Sequence, residues 1–194
     1  VPEASRQAKG MPLVNLIALD GGERVTAVLG VRDFTEGGFL VMATRMGTVK
    51  KTALSDLDTV RSGGLLAITL EEDDELIYVR RTDGQRELLL GTRGGMAIRF
   101  AEQDIRSMGR LARGVRGIRL SRGDEVVSMD VVLAGASLLI LCTNGYGKRT
   151  PLEEFRAQSR GGKGLKAIRT SKRNGPVVEM RVVRDDDDLM LVTA

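Results

Sequence analysis

The chain has 194 residues, of which 42% are hydrophobic and only 3% aromatic, with 24 glycines, one cysteine and no histidine. The lack of histidine excludes Ser-His and Cys-His nucleophile pairs and His-containing zinc sites, and a single cysteine excludes an intrachain disulfide or an all-cysteine metal site. The net charge of +4 permits a polyanionic partner without requiring one, and no apolar run reaches the roughly 18–20 residues of a membrane span.

The first part of the chain is built from short segments of three kinds. A basic, glycine-containing segment at 5–10 precedes an apolar run over 13–17. A polar turn then leads into a strand-like run over 22–28, and a further apolar run over 40–44 ends in a turn at Gly47. Short runs rich in Val, Ile and Leu and bounded by glycine predict β-strands.

The same segments recur through the rest of the chain. They are the glycine- and arginine-containing segments at 61–70, 113–120 and 160–169, the turn-and-strand segments at 74–79, 124–129 and 175–180, and the apolar strands at 88–92, 139–143 and 189–194. Ile68, Ile118 and Ile168 are 50 residues apart, and Gly95 and Gly145 continue the series of turn glycines. Two independent signatures with one spacing predict a repeat of about 50 residues.

Each repeat contains about four short strands, which is typical of a propeller-like blade. Such a blade cannot bury both faces alone, so neighbouring blades must stack. We predict one all-β domain over 1–194 that consists of four repeats. Their approximate bounds are 1–52, 53–100, 101–150 and 151–194. A single helical turn is expected over 151–155, and the last strand, which no glycine turn follows, leads us to expect a fragment of a larger disc.

Cys142 lies in the apolar run 138–142 and is predicted to be an inert core residue. A lone cysteine also fits a reducing cytoplasm. Tyr78 lies within an apolar strand and is predicted to be part of the core, whereas Tyr146 lies in a turn between glycines, and neither tyrosine has a catalytic neighbourhood in the sequence.

One glycine-rich segment carries a specific resemblance. Residues 158–164 have the sequence QSRGGKG, which resembles the QRRGGKG box of the DNA gyrase A subunit, with Ser159 where that family has Arg. Residues 48–52, 114–120 and 144–150 also resemble stretches of the C-terminal domain of that family, in register with the repeat. The resemblance implies a β-pinwheel, a propeller-like disc whose blades exchange strands and whose basic rim wraps DNA.

The function implied by the resemblance is non-sequence-specific binding and wrapping of double-stranded DNA within a bacterial type IIA topoisomerase. Wrapping would support negative supercoiling by the holoenzyme, which would also contain the gyrase B subunit together with the rest of the gyrase A subunit. The domain itself would be non-catalytic, without metal or cofactor, because ATP and Mg²⁺ are expected on other parts of the holoenzyme. The expected location is the bacterial cytoplasm, in association with the nucleoid and not with a membrane.

Phosphate binding needs Lys or Arg and backbone N–H groups that come close, and glycine permits that approach. The candidates in and after the box are Gln158, Arg160, Gly161, Gly162, Lys163, Gly164, Lys166 and Arg169. The candidates in the other segments are Arg6, Lys9, Arg45, Lys50, Lys51, Arg93, Arg99, Arg113, Arg116, Arg119, Lys148 and Arg149. The acidic runs at 71–75 and 185–188 are expected to mark faces turned away from DNA.

Two alternatives remain open at this point. The paralogous subunit of topoisomerase IV has a similar pinwheel with a degraded or missing box, and it would bind DNA without strong wrapping. A propeller-like protein-interaction scaffold would instead have aromatic or apolar patches on one face, which the low aromatic content disfavours. A propeller enzyme is disfavoured by the absence of histidine and of a convergent acid/base group.

Overall fold

A computed structural model describes residues 3, 5–12, 15, 23–58 and 64–191. The strands within these residues are β1 (Phe39–Thr44), β2 (Thr48–Ala53), β3 (Leu76–Thr82), β4 (Glu87–Thr92), β5 (Met96–Ala101), β6 (Val115–Arg116), β7 (Val126–Val131), β8 (Ser137–Cys142), β9 (Gly147–Pro151), β10 (Leu165–Lys166) and β11 (Val177–Val183). The helices there are 3₁₀ helices at Leu54–Leu57, Glu102–Asp104 and Leu152–Glu154. The all-β prediction is therefore confirmed, and the last helix falls within the helical turn expected over 151–155.

The strands form three antiparallel sheets. The first has the order β3-β1-β2-β6, the second β7-β4-β5-β10 and the third β11-β8-β9. In each sheet a hairpin closes at a glycine turn, and Gly47, Gly95 and Gly145 in these turns have φ between 78° and 85°. Few residues other than glycine adopt such angles, which explains why glycine recurs at this point of the repeat.

Two short strands leave their own repeat and complete the preceding sheet. β6 adds to β2, with Val115 opposite Val49, and β10 adds to β5, with Leu165 opposite Ala97. Each sheet thus takes strands from both sides of the approximate repeat boundaries predicted near residues 52, 100 and 150. The sequence period has the correct length, but the structural unit starts elsewhere because strands are exchanged.

The predicted strand over 22–28 is wrong, because residues 23–28 form no strand in the structure. The equivalent strands β3, β7 and β11 each pair with the hairpin that precedes them in the chain. No such hairpin precedes residue 23 within the described residues, and residues 23–28 pair with no strand among them. Parts of three predicted segments lie outside the described residues. They are the apolar run 13–17 apart from Asn15, residues 61–63 of segment 61–70, and residues 192–194 of segment 189–194.

The two larger of three buried apolar clusters lie one on each side of the second sheet, and the third contains Met42, Ile68 and Val79. Leu88 and Leu90 of β4 pack in the layer shared with the first sheet, which contains Val41 and Val49. Leu89 points to the opposite face and packs with Leu138 in the layer shared with the third sheet. A strand buried on both faces has no polar alternation, which explains the continuous apolar runs of the sequence. Cys142 is buried in the second layer, as predicted, and burial raises the pKa of its thiol.

The inner strands of the three sheets are joined by polar contacts. Tyr78 of β3 donates a hydrogen bond of 2.5 Å to Glu179 of β11, so a side chain of the first sheet contacts the third. Asp130 of β7 lies 3.4 Å from the Arg80 guanidinium and accepts a hydrogen bond of 3.1 Å from the Val182 N–H. Tyr78 is thus half-buried and polar in its contacts, and is not a purely apolar core residue.

Burial raises the pKa of Glu179 above its usual value, while the hydrogen bond from Tyr78 opposes that shift. The charged groups that influence the Glu179 carboxyl are Asp130, which raises its pKa, and Arg80 and Arg181, which lower it. A carboxyl with a raised folded-state pKa binds more protons in the folded than in the unfolded state. The stability of the protein therefore falls as pH rises from the ordinary glutamate pKa through the raised one.

We expect Glu179→Gln to remove this pH dependence while the amide oxygen still accepts the bond from Tyr78. Urea unfolding from pH 4 to pH 8 should show the variant gaining stability relative to the wild type as pH rises, with a plateau at the upper end. The exposed Glu154→Gln is the matched control and should follow the wild type. A constant difference between Glu179→Gln and wild type across this range would contradict the assignment.

Candidate nucleic-acid interface

The box residues 158–164 form the connection between the 3₁₀ helix Leu152–Glu154 and β10. Their backbone is held by the second sheet and by the segment after β6. The Gln158 N–H donates to the Arg99 carbonyl at 2.8 Å, and the Gly161 N–H donates to the Gly117 carbonyl at 2.6 Å. The Gly162 carbonyl accepts a bond of 2.8 Å from the Arg119 N–H. The box is therefore a docked part of the fold and not a free loop.

Two box residues predicted to contact DNA have internal roles. Arg160 donates from Nε to the Asp104 carbonyl at 2.8 Å and from a terminal nitrogen to the Arg116 carbonyl at 3.1 Å. Gly164 has φ of 75°, and a Cβ there would collide with the Ala97 carbonyl oxygen. Gln158 is half-buried, and its side-chain nitrogen has no partner. Much of the motif therefore holds the exchanged strand in place.

Three further candidates, Lys50, Lys51 and Arg99, bond to groups inside the fold. Lys50 is fully buried, and its ammonium donates to the Ala67 carbonyl at 2.6 Å and to the Arg110 carbonyl at 2.5 Å. Burial lowers the pKa of Lys50. Lys51 is also buried and donates to the Glu102 carbonyl at 3.0 Å, with the Phe39 ring beneath its ammonium.

Arg99 also bonds inside the fold. It is the fourth residue of β5, as Lys51 is the fourth residue of β2. Its guanidinium contacts the Glu87 carboxylate at 2.5 Å and the Leu152 carbonyl at 3.0 Å. Lys51 and Arg99 thus both satisfy carbonyls of a 3₁₀ helix in the following repeat. A buried carbonyl requires such a donor, so these cations serve the packing of one repeat on the next.

The remaining cations of segments 113–120 and 160–169, and two that follow these segments, are at the surface. They follow one another at intervals of three residues and recur 50 residues later. We call these residues the basic track. Its members, all exposed, are Arg113, Arg116, Arg119, Arg122, Lys163, Lys166, Arg169 and Lys172. The sequence interpretation missed Arg122 and Lys172, although their spacing of 50 residues was a usable signal.

The basic track passes an open groove between the β4–β5 turn and the β8–β9 turn. Arg93, Arg122, Lys166 and Lys172 line this groove. Its one carboxylate, Asp124, accepts hydrogen bonds from the Gly94 N–H at 2.7 Å and the Thr92 hydroxyl at 2.8 Å. Asp124 is thus bonded to the β4–β5 turn, and four cations line the groove against this single carboxylate, so the groove has a positive potential.

The equivalent position on the first sheet has a different charge. Arg113 and Arg116 line it together with Glu71 and Asp74. Arg113 and Glu71 form an ion pair of 2.7 Å. This pair partly neutralises the second groove.

The acidic runs, which were expected to mark faces turned away from DNA, contact two of the candidate basic residues. Glu71 contacts Arg113, as above, and Asp185 contacts Arg149 at 2.9 Å. These carboxylates therefore share the surface of the candidate cations. The acidic runs lie far from their partners along the chain, so no local pattern indicated these pairs.

Two turn cations are ion-paired. Arg45 lies 3.3 Å from Glu75 and 3.5 Å from Glu125, and Arg93 bonds Glu125 at 2.9 Å. The hydrogen bond from Arg93 lowers the pKa of Glu125. Arg93 remains half-exposed at 53% and faces the first groove, whereas Arg45 is more enclosed at 35%.

The other predicted candidates lie at the ends of the array. Lys148 and Arg149 are exposed on β9, and Arg6 and Lys9 are exposed in the segment 5–12. Tyr146, 43% exposed, lies in the β8–β9 turn, where the Arg173 guanidinium stacks on its ring.

The described residues contain no group of three or more carboxylate or cysteine side chains arranged to hold a metal ion. In the same part of the chain, no helix is both long and apolar enough to span a membrane.

Antiparallel sheets that stack face to face and exchange their outer strands define the class of propeller-like pinwheel proteins. The family model described as the DNA gyrase C-terminal domain, beta-propeller, matches residues 1–32, 38–83, 86–133 and 136–184. The chain belongs to this family. Both the predicted resemblance and the predicted pinwheel fold are thereby confirmed.

Individual relatives and solved structures support the same family assignment. The DNA gyrase A subunit of Staphylococcus aureus strain MRSA252 is 47% identical over 196 residues, which cover 100% of this chain and 22% of the relative. The C-terminal domain of DNA topoisomerase IV superposes with a TM-score of 0.85 at 32% identity, over 91% of this chain and 55% of that one. The structure of the DNA gyrase A C-terminal domain superposes with a TM-score of 0.82 at 26% identity, over 93% of this chain and 61% of that one. The chain thus spans about a fifth of the length of its gyrase A relatives.

The distinct roles of the box residues can be separated by stability. We expect Arg160→Ala to lower the free energy of unfolding by about 1–2 kcal/mol, because two carbonyls lose a charged donor. Lys163→Ala, a change in the same box at an exposed side chain, should stay within about 0.5 kcal/mol of wild type. Urea unfolding of both variants provides the measurement, and equal stabilities would contradict the internal role of Arg160.

Proposed function

We propose that the chain binds double-stranded DNA without sequence specificity and wraps it, as the C-terminal module of the A subunit of a bacterial type IIA topoisomerase. The observation that carries the proposal is the basic track, with exposed cations at equivalent positions of successive repeats. Family membership supports the same assignment. In the gyrase holoenzyme, such wrapping would support negative supercoiling.

The chemistry of the track suits phosphate and not base edges. Lys and Arg on extended, glycine-containing segments provide charges that follow a polyanionic backbone. Stacked repeats place equivalent segments one after another along the surface, so DNA would contact several sheets in turn. Bending a duplex of 20–30 base pairs sharply costs about 1–6 kcal/mol, which many phosphate contacts together can offset.

The other parts of the activity would lie elsewhere in the holoenzyme. We propose that the cleavage tyrosine, the ATPase and the Mg²⁺ site belong to the B subunit or to the rest of the A subunit, in the bacterial cytoplasm. Nothing in the basic track provides a nucleophile or a metal ligand, so the module itself acts by binding alone.

We expect salt-dependent binding that depends on the first groove. If all eight track cations contact phosphates, log K should fall with log salt concentration with a slope of about −7. The double variant Lys166→Ala/Lys172→Ala should bind at least about tenfold more weakly at low salt and reduce the slope by about 2, equally for unrelated DNA sequences. Fluorescence anisotropy with labelled duplexes over a salt series measures both quantities.

The control double variant Arg81→Ala/Arg86→Ala removes the same charge from two exposed arginines that pair with Glu36 and Asp83, off the track. It should bind DNA as the wild type does. Equal losses in the two double variants would mean that net charge alone drives binding and would overturn the groove assignment.

A second candidate is a topoisomerase IV-type module that holds DNA without strong wrapping. The TM-score of 0.85 with the topoisomerase IV domain and Ser159 in place of the box arginine favour it. Ligation of nicked circular DNA in the presence of the chain separates the two candidates. We expect a positive shift in linking number, which indicates chiral wrapping, whereas binding without a shift would support the second candidate.

A further inference from the structure

The turns that lead into β3 and β7 have the same backbone but a different charge. The Asp74 N–H donates to the Glu71 carbonyl at 3.2 Å, and the Asp124 N–H donates to the Ser121 carbonyl at 3.0 Å. Glu71 and Ser121 therefore begin equivalent turns, 50 residues apart. Both are exposed, but one presents a carboxylate and the other an uncharged hydroxyl.

In the earlier repeat this position is paired with the basic segment of the next one. The Thr69 N–H donates to the Ala112 carbonyl at 3.4 Å, which brings the two segments side by side. Two residues beyond Thr69, Glu71 accepts a hydrogen bond of 2.7 Å from the Arg113 guanidinium. The side chains of Arg113 and Glu71 are 64% and 60% exposed. A solvated ion pair of this kind is weak, so a phosphate can compete with it.

The later repeat has the same backbone contact without the ion pair. The Arg119 N–H donates to the Gly162 carbonyl at 2.8 Å, one residue before Lys163. Ser121 lies two residues beyond Arg119. Among the described residues, no ion pair involves Lys163. The box lysine therefore has a hydroxyl where Arg113 has a carboxylate.

We infer, on the basis of the proposed function, that this turn position decides how strongly the basic segment of the next repeat binds a DNA phosphate. We call it the selector position, which is residue 71 in one repeat and residue 121 in the next. A carboxylate there competes with phosphate for the neighbouring cation. A hydroxyl leaves the cation available and can itself donate to a phosphate oxygen.

The effect of the selector position is local. Net charge changes the long-range attraction of DNA wherever the charge lies on the protein. A selector residue instead acts through one partner, which is Arg113 for Glu71 and Lys163 for Ser121. Because charges at the surface are screened within about 8 Å at physiological salt, each selector residue acts on its own site.

The test measures binding of labelled duplex DNA by the 194-residue chain, with fluorescence anisotropy over a salt series. Glu71→Ser should raise the affinity at least about threefold at low salt and steepen the salt slope by about 0.9, because one more cation becomes available to phosphate. Ser121→Glu should lower the affinity by a similar factor and flatten the slope by the same amount.

Two matched controls make the same residue changes away from the basic track. Glu36→Ser removes an exposed carboxylate that pairs with Arg81. Ser55→Glu adds a carboxylate to an exposed serine in the 3₁₀ helix Leu54–Leu57, at the opposite end of the first sheet from the β1–β2 turn. Both controls should bind DNA as the wild type does, and circular dichroism of all four variants should match the wild type.

Double variants identify the partner of each selector residue. In an Arg113→Ala background, Glu71→Ser should no longer change the affinity, and in a Lys163→Ala background Ser121→Glu should lose most of its effect. The exchange Glu71→Ser/Ser121→Glu moves the carboxylate between the two sites at constant net charge. In this variant, DNA should protect Lys163 from acetylation less than it does in the wild type, as measured by mass spectrometry.

The outcomes separate the selector position from the proposed function. A wild type that does not bind duplex DNA at low salt would overturn the proposed function itself. A wild type that binds, with Glu71→Ser equal to Glu36→Ser or Ser121→Glu equal to Ser55→Glu, would overturn the selector position alone. Full effects in the two alanine backgrounds would also overturn it, because they would show that net charge and not a local partner controls the affinity.

Discussion

The structure depends on the passage of a glycine over the carbonyl of a neighbouring outer strand. At Gly114 and Gly164 the chain crosses Val49 and Ala97 too closely for any side chain, and two residues then add to the preceding sheet. No completed sheet is therefore made from one repeat alone. The sheets joined in this way stack, and both faces of β4 in the middle sheet are buried in apolar clusters.

The same crossing divides the cations into two groups. Outer-strand cations such as Lys51 and Arg99 point toward the next repeat, where 3₁₀ helices present carbonyls that need donors. Cations that follow the crossing glycine, such as Arg116 and Lys166, lie on the short exchanged strand and face solvent. Lys51 and Arg99 are therefore bonded inside the fold, whereas Arg116 and Lys166 are available at the surface.

This division explains how far the sequence could be interpreted. The period, the all-β fold and the burial of Cys142 follow from local patterns of apolar residues and glycine, and these predictions are confirmed. The fate of Lys50 and Arg160 was not predictable in this way, because each is decided by carbonyls that belong to other segments. Arg122 and Lys172 were missed for a different reason, since their recurrence was visible but lay beyond the glycine motif.

The charge of the basic track also changes along the chain. The positions of Arg113, Arg116, Arg119 and Arg122 are occupied one repeat later by Lys163, Lys166, Arg169 and Lys172, but one repeat earlier by Gly63, Leu66, Thr69 and Glu72. Within the described residues, Arg113 is paired with Glu71, whereas no ion pair involves Lys166 or Lys172. A phosphate that binds Arg113 must displace the Glu71 carboxylate. A phosphate that binds Lys166 or Lys172 meets an ammonium group without an ion-pair partner. If the proposed function holds, DNA is therefore bound most tightly beside the box 158–164. The two repeats would then contribute unequally to binding, so the two ends of the track are not equivalent for a bound duplex.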